Sequence, residues 1–216
     1  MTSESKRYPV PAQETRVEMR VKNSRFIATL APAFSVQAAR EFVARVRQEF
    51  ADASHNVPAF VVGYGAAVTA HCSDDGEPAG TAGRPALAVL QGSGLGDAAL
   101  VVTRYYGGTK LGTGGLVRAY GDAARAVLEA APRAQRTPTH TVQVTVPYAL
   151  FESLRLLLAA HGSQTFDESF AAEVTVTARL AQERLPDFQE ALRDMSNGTR
   201  QAQIVASEDD TLLPLS

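Results

Sequence analysis

The chain has 216 residues, 45% of them hydrophobic and 20% charged, with a net charge of −2. That composition builds one or two domains with a substantial core, and the near-neutral balance, taken whole, argues against a strong nucleic-acid binder. Apolar runs such as Ala98 to Val102 and Leu156 to Ala160 fall far short of the roughly 18 residues that span a bilayer, a single cysteine excludes an internal disulfide or a cysteine-rich zinc site, and the N-terminus lacks the apolar core of a signal peptide, so a cytoplasmic protein with no membrane contact is expected.

In chain order, residues 1–13 are polar with prolines and read as a loose tail. RVEMRVKNSRFIATLAPAF, from Arg16, alternates and then turns apolar, the pattern of two strands with a turn at Lys22 to Ser24. Ser35 caps a helix whose apolar positions Ala39, Phe42, Val43 and Val46 recur at helical spacing. His55 and Asn56 precede a short strand, VPAFVVGYG, then a turn at Gly63 to Gly65 and a second strand, AVTAHCS. SDDGEPAGTAGRPALAVLQGS follows: acids clustered around Gly76, then glycines, then a short apolar helix ending at Gly92. Ala98 to Val102 reads as a buried strand that feeds RYYGGTKLGTGG, after which a helical pattern starts near Thr113 and ends near Ala131. PRAQRTPTH is short, polar and proline-bearing, a linker by composition. Beyond it, strand, helix, two strands, helix and strand spell the βαββαβ order of a ferredoxin-like domain, followed by the acidic tail SEDDTLLPLS, read as frayed.

Charge divides along the same line. Residues 1–137 carry 16 basic and 12 acidic side chains, a balance of +4, whereas residues 138–216 carry 5 and 11, a balance of −6. The asymmetry fits two domains with different partners.

Chemistry concentrates in two loops of the first part. Where the buried strand ends, Arg104, Tyr105, Tyr106, Gly107, Gly108, Thr109, Lys110 and Gly112 bring two cations, two phenols and a hydroxyl to a glycine-rich loop ahead of a helix. Glycines let backbone amides approach a guest, and the amides opening a helix carry partial positive charge, so an anion is the natural ligand. Strand alternation puts Tyr106 on the face of Arg104 and Tyr105 on the other. The second loop offers Asp74, Asp75 and Glu77, which as hard oxygen donors suit a divalent ion, or else form an Asp-Gly turn with helix-capping acids. Arg84 extends a cationic track, and His55 is a candidate acid or base.

DDGEPAGTAGRP (Asp74 to Pro85) and VVTRYYGGTKLGTGGLVRAY (Val101 to Tyr120) resemble the YigZ/IMPACT family (UPF0029), and the likeness covers nearly the whole chain. The resemblance implies an α+β chain: an N-terminal ribosomal protein S5 domain 2-like domain over residues 1–136, and a C-terminal ferredoxin-like domain, similar to the last domain of elongation factor G, over 137–216. Both folds recur in translation machinery, and the eukaryotic branch is linked to control of translation under stress. GGTKLGTGG is not a Walker A sequence, because no GK[ST] closes it.

These readings favour a non-catalytic, translation-linked regulator that binds RNA, the ribosome or a translation factor, with Arg104 and Lys110 on phosphates and Tyr106 as a stacking face. The alternative is an enzyme or sensor for a phosphorylated small molecule with magnesium at Asp74, Asp75 and Glu77. No nucleophile, base and orienting group assemble from the sequence, so no catalytic residue, bound metal or cofactor is expected. If Arg104 or Lys110 instead pairs with the acids, the loops form a structural clasp.

Overall fold

The computed structural model describes residues 8–65 and 68–215, the side chains of residues 209 and 210 excepted. The elements are β1 (Pro9–Pro11), β2 (Thr15–Val21), β3 (Ser24–Pro32), α1 (Val36–Glu49), β4 (His55–Val62), β5 (Thr69–Cys72), α2 (Gly83–Gly92), β6 (Ala98–Tyr105) and α3 (Thr113–Ala130). There follow β7 (Arg133–Val146), α4 (Tyr148–Ala160), β8 (Gln164–Phe170), β9 (Val174–Ala181), α5 (Leu185–Met195) and β10 (Gln203–Pro214). The chain is α+β and forms two compact units, one ending at Ala134 and the other over Gln135–Pro214.

The first unit is built on a five-stranded sheet in the order β2-β3-β6-β4-β5. Its middle strand, β6, runs antiparallel to both neighbours, with Ile27 opposite Thr103 on one side and His55 opposite Arg104 on the other. Ala98, Leu100 and Val102 enter the core under α2 and α3, while Ala99 and Val101 enter a second core under α1. Helices on both faces are the physical reason this strand reads as an unbroken apolar run rather than an alternating one. The same alternation, carried to the strand end, turns Arg104 toward α2 and α3 and Thr103 toward α1, where its hydroxyl donates to Asn56 Oδ1 at 2.7 Å. The β2–β3 hairpin turns at Lys22, whose φ of 52° is left-handed. Helix α1 starts where Ser35 Oγ accepts from the Ala38 amide at 3.0 Å.

The second unit has the βαββαβ order, with β9 between β7 and β8 and β10 against β7. Val142, Val144 and Val146 of β7 and Val174, Val176, Ala178 and Leu180 of β9 meet Leu154 and Leu158 of α4 and Phe188 and Leu192 of α5 in its core.

Three local expectations need correction. PRAQRTPTH, which spans the join between the two units, is strand rather than loop: β7 begins at Arg133, and Thr137, Thr139 and Thr141 alternate into the buried side of a long strand. Threonine suits such a half-buried pleat, and Thr139 also donates to Thr211 Oγ1 of β10 at 3.0 Å. That pairing also holds the acidic tail, which is strand to Pro214 rather than frayed; Ser216 lies outside the described residues. Of the tail expected over residues 1–13, residues 1–7 lie outside the described residues, but Tyr8 stacks on Tyr64 with ring centroids 4.7 Å apart and Pro9–Pro11 form a strand. Ala67 of the expected AVTAHCS strand is likewise not described, and the strand runs from Thr69 to Cys72. No helix among the described residues is long and apolar enough to cross a membrane.

Candidate functional site

Because β6 is antiparallel to β3 and β4, its C-terminal end lies beside their N-terminal ends, so Arg104, Ser24 and His55 gather at one edge of the sheet. The loop from Ser73 to Ala82, between β5 and α2, reaches the same edge and delivers Glu77 onto Arg104. The acidic and cationic loops, distant in sequence, therefore meet.

They meet first in a buried network. Arg104 and Glu77 are only 4% and 8% exposed, so neither charge is solvated and each must be paired. Arg104 Nη1 donates to Glu77 Oε1 at 2.6 Å, and Nη2 donates to Ser24 Oγ at 3.2 Å. The fully buried Tyr120 of α3 donates its hydroxyl to the same Glu77 oxygen at 2.8 Å. Burial, and then the Glu77 charge, push the Tyr120 phenol far above its ordinary value, so it stays a donor throughout the working pH range. The Arg104 guanidinium lies 5.5 Å from the Phe26 ring centre and 5.4 Å from that of Tyr106. Its Nε–H is buried, with no hydrogen-bond partner among the described residues.

Next to this network opens a recess of about 630 Å³, within the range of small-ligand sites. Ser54, His55, Tyr106, Lys110 and Thr113 supply its polar lining, and Pro78, Leu111 and Leu116 its apolar wall. Tyr106 is 47% exposed, with one ring face toward Arg104. Lys110 is exposed and forms no ion pair among the described residues. Helix α3 begins on this wall: Gly112 is its N-cap, no side chain caps it and no acid stands in its first turn, so the amides of its opening turn keep their partial positive charge. His55 Nδ1 lies 2.8 Å from the Asp75 carbonyl oxygen, which can only accept. That bond assigns the ring proton to Nδ1 and leaves Nε2, 3.8 Å from Glu77 Oε1, as the nitrogen with the lone pair when the ring is neutral.

Of the residues singled out in the sequence, His55, Glu77, Arg104, Tyr106, Lys110 and Gly112 line the recess. Others stand outside its lining. Tyr105 faces away, its hydroxyl donating to Asp52 Oδ1 at 2.7 Å beneath the Arg25 guanidinium. Gly107 packs so closely on Asn23 that a Cβ would sit 1.9 Å from the Asn23 carbonyl oxygen. Gly108 has a left-handed φ of 81°, and Thr109 Oγ1 accepts from Asn23 Nδ2 at 3.3 Å. Arg84 is exposed in the first turn of α2, where its charge acts on Asp74.

The carboxylates do not converge as a magnesium site would require. Asp74 accepts from the amides of Gly80 at 2.7 Å, Ala82 at 3.1 Å and Gly83 at 2.8 Å, and so caps α2, whose own N-cap Ala82 has no side chain to do it. Partial burial works to raise its carboxyl, but these amides and the charge of Arg84 hold it below the usual carboxylate range. Asp75 accepts from Arg47 Nη2 at 2.7 Å and from the Asn56 amide at 2.6 Å. With Glu77 held by Arg104 and Tyr120, each acid has its own partners, and no three His, Cys, Asp or Glu among the described residues come together as metal ligands.

Ser54, Thr113, Pro78 and Leu111 escaped the sequence reading, as did the roles of Ser24 and Tyr120. Ser54 and Thr113 were findable as neighbours of His55 and Gly112. Tyr120 stands four residues after Leu116 on α3 and reads as core; nothing in the sequence signals that its hydroxyl meets Glu77.

An Impact N-terminal domain model matches residues 22–128, and a domain of unknown function, DUF1949, matches residues 144–199. The IMPACT family member YigZ of Escherichia coli is 39% identical over 193 residues, covering 89% of this chain and 95% of its own. An IMPACT family member of Haemophilus influenzae is 35% identical over 192 residues, covering 88% and 93%. A crystal structure of a hypothetical protein, 37% identical, matches 94% of this chain and 98% of its own with a TM-score of 0.58. With both domain models matched in order and this identity held over most of each relative, the chain belongs to the IMPACT family.

Proposed function

We propose that the chain is a non-catalytic, translation-linked regulator that binds RNA through the recess between the RYYGGTK and DDGEP loops. The link to translation rests on family resemblance, and the binding chemistry on the recess. One observation carries it: an exposed aromatic face, Tyr106, an ammonium with no ion pair among the described residues, Lys110, and the uncapped start of α3 line a single hollow. A base stacks on such a ring, and a phosphate suits the ammonium and the amides. Arg104, held by Glu77, shapes the hollow rather than serving as a free counter-ion. The test is binding of single-stranded RNA by the full chain at several salt concentrations. Affinity should fall as salt rises and drop at least tenfold in Tyr106→Ala/Lys110→Ala, the order of loss expected for one stacked base and one charged contact. Unchanged binding in that variant would remove the recess from the account, and capture of ribosomal proteins without RNA would point to a protein partner instead.

A second reading, a sensor or enzyme for a phosphorylated small molecule, is favoured by the His55 geometry: a ring oriented by the Asp75 carbonyl with its other nitrogen available as a base. Any magnesium would have to arrive with the ligand, since the three acids are engaged. Calorimetric titration with nucleoside phosphates, with and without magnesium, tests it; turnover abolished in His55→Gln supports catalysis, and binding without turnover rejects it.

A further inference from the structure

We propose that the recess holds one nucleotide bearing a terminal phosphomonoester, with the base against Tyr106 and the phosphate at the start of α3 under Lys110. This deepens the RNA-binding reading and rests on it.

The number of phosphates that the surroundings can neutralise bounds the size of the ligand. Around the recess most cations are already committed: Arg104 to Glu77 at 2.6 Å, Arg47 to Asp75 at 2.7 Å and Arg25 to Glu18 at 2.9 Å. Among the described residues, Lys110 lines the recess without an ion pair, and Lys22 stands beside it, donating to the Lys110 carbonyl at 3.4 Å. Two cations cannot track a long phosphate backbone, which needs a continued basic groove. They can hold one doubly charged phosphate.

The donors at the site match that group. A phosphomonoester presents three terminal oxygens, whereas a diester within a strand presents two and must leave the hollow in two directions. Here the opening turn of α3 supplies amides with no capping side chain and no acid within the turn itself. Lys110 lines the same hollow, exposed and with no ion pair among the described residues. Glu77, which also lines the hollow, carries a negative charge that limits how deep an anion can go and sets the phosphate at the rim beside Lys110.

The rest of the hollow suits one base. Tyr106 keeps one ring face on Arg104 and is 47% exposed, while Pro78, Leu111 and Leu116 provide an apolar wall. A volume of about 630 Å³ accommodates a single nucleotide, not a stacked run. Ser54, His55 and Thr113 remain as polar groups for the edges of base and sugar.

The experiment uses the full chain and calorimetry or competition with a five-nucleotide single-stranded RNA made in three forms: 5′-phosphate, 3′-phosphate and both ends hydroxyl. Adenosine 5′-monophosphate and adenosine serve as competitors. The expected result is at least tenfold tighter binding of one phosphorylated form than of the hydroxyl form, competition by the monophosphate but not by adenosine, and loss of the preference in Lys110→Ala. The salt dependence should be shallow, with a slope of about −1 rather than the roughly −3 of a four-phosphate track. The two phosphorylated forms decide which end is read. Equal binding of all three forms, abolished in Tyr106→Ala, would overturn terminal recognition and leave RNA binding at the recess intact. No binding of any form, in protein whose unfolding is normal, would overturn both.

Discussion

The two loops that meet at the end of β6 divide into a closed half and an open half. In the closed half, Arg104, Glu77, Tyr120 and Ser24 satisfy one another out of water; in the open half, Tyr106, Lys110 and the uncapped start of α3 line a hollow open to solvent. Neighbouring residues thus do opposite jobs. Arg104 in β6 and Tyr106, one residue past the strand end, both line the recess, yet the first is 4% exposed and the second 47%. Charge and aromaticity in a glycine loop do not by themselves mark a ligand-binding group; what separates a clasp from a site is whether the side chain's bonding capacity is already used.

The sharpest way to break this division is Arg104→Ala. It leaves the Glu77 carboxylate buried beside Tyr120 with its main counter-charge gone, and stability should fall by about 3–5 kcal/mol. Urea unfolding of the full chain measures it. Glu77→Leu/Arg104→Leu should cost less than the single change, because no charge is then stranded. A loss under about 1 kcal/mol in Arg104→Ala would mean that the pair is not the clasp described. Gly107→Ala comes next: a methyl 1.9 Å from the Asn23 carbonyl oxygen must displace backbone, for a cost of about 1–3 kcal/mol in the same measurement. An unaffected midpoint would show that the loop has room to shift there.

How far this was legible in the sequence depends on what kind of signal each part emits. The β6 strand, the glycine loop and α3 were readable because burial on both faces and helical spacing leave periodic marks. Alternation likewise sets Tyr105, the last residue of β6, facing away from Arg104, whereas Tyr106 lies past the strand end. Asp74 was ambiguous, because a carboxylate beside glycines looks the same whether it waits for a metal or, as here, accepts from three amides up to nine residues further on. The Glu77–Tyr120 contact spans 43 positions and carries no local pattern. Pro138 misled for a related reason: proline with polar neighbours marks a linker by composition, but long-range pairing of β7 with β10 makes that segment strand.

Asp74→Asn tests the capping half of the acidic loop at intermediate size. A neutral amide keeps shape but accepts less strongly from the Gly80, Ala82 and Gly83 amides, for a loss of about 1 kcal/mol at neutral pH. The folded-state pKa is depressed, so the charge contributes its full stability above the unfolded value near about 4 and loses it as pH falls through the lower folded value. The gap between wild type and Asp74→Asn should therefore be largest at neutral pH and close as pH drops below about 4. A gap that widens on acidification would contradict the capping role.

The smallest effect on stability is expected from Lys110→Ala, and its smallness is the point. The side chain is exposed on the loop and forms no ion pair among the described residues, so its removal should change the unfolding free energy by less than about 0.5 kcal/mol. If Lys110 belonged to the closed half, truncation would leave a partner stranded and the cost would resemble that of Arg104→Ala. A silent unfolding curve together with weakened RNA binding assigns Lys110 to ligand rather than to fold. Silence in both measurements would leave the open half without its cation, and Tyr106 alone would then have to carry the binding.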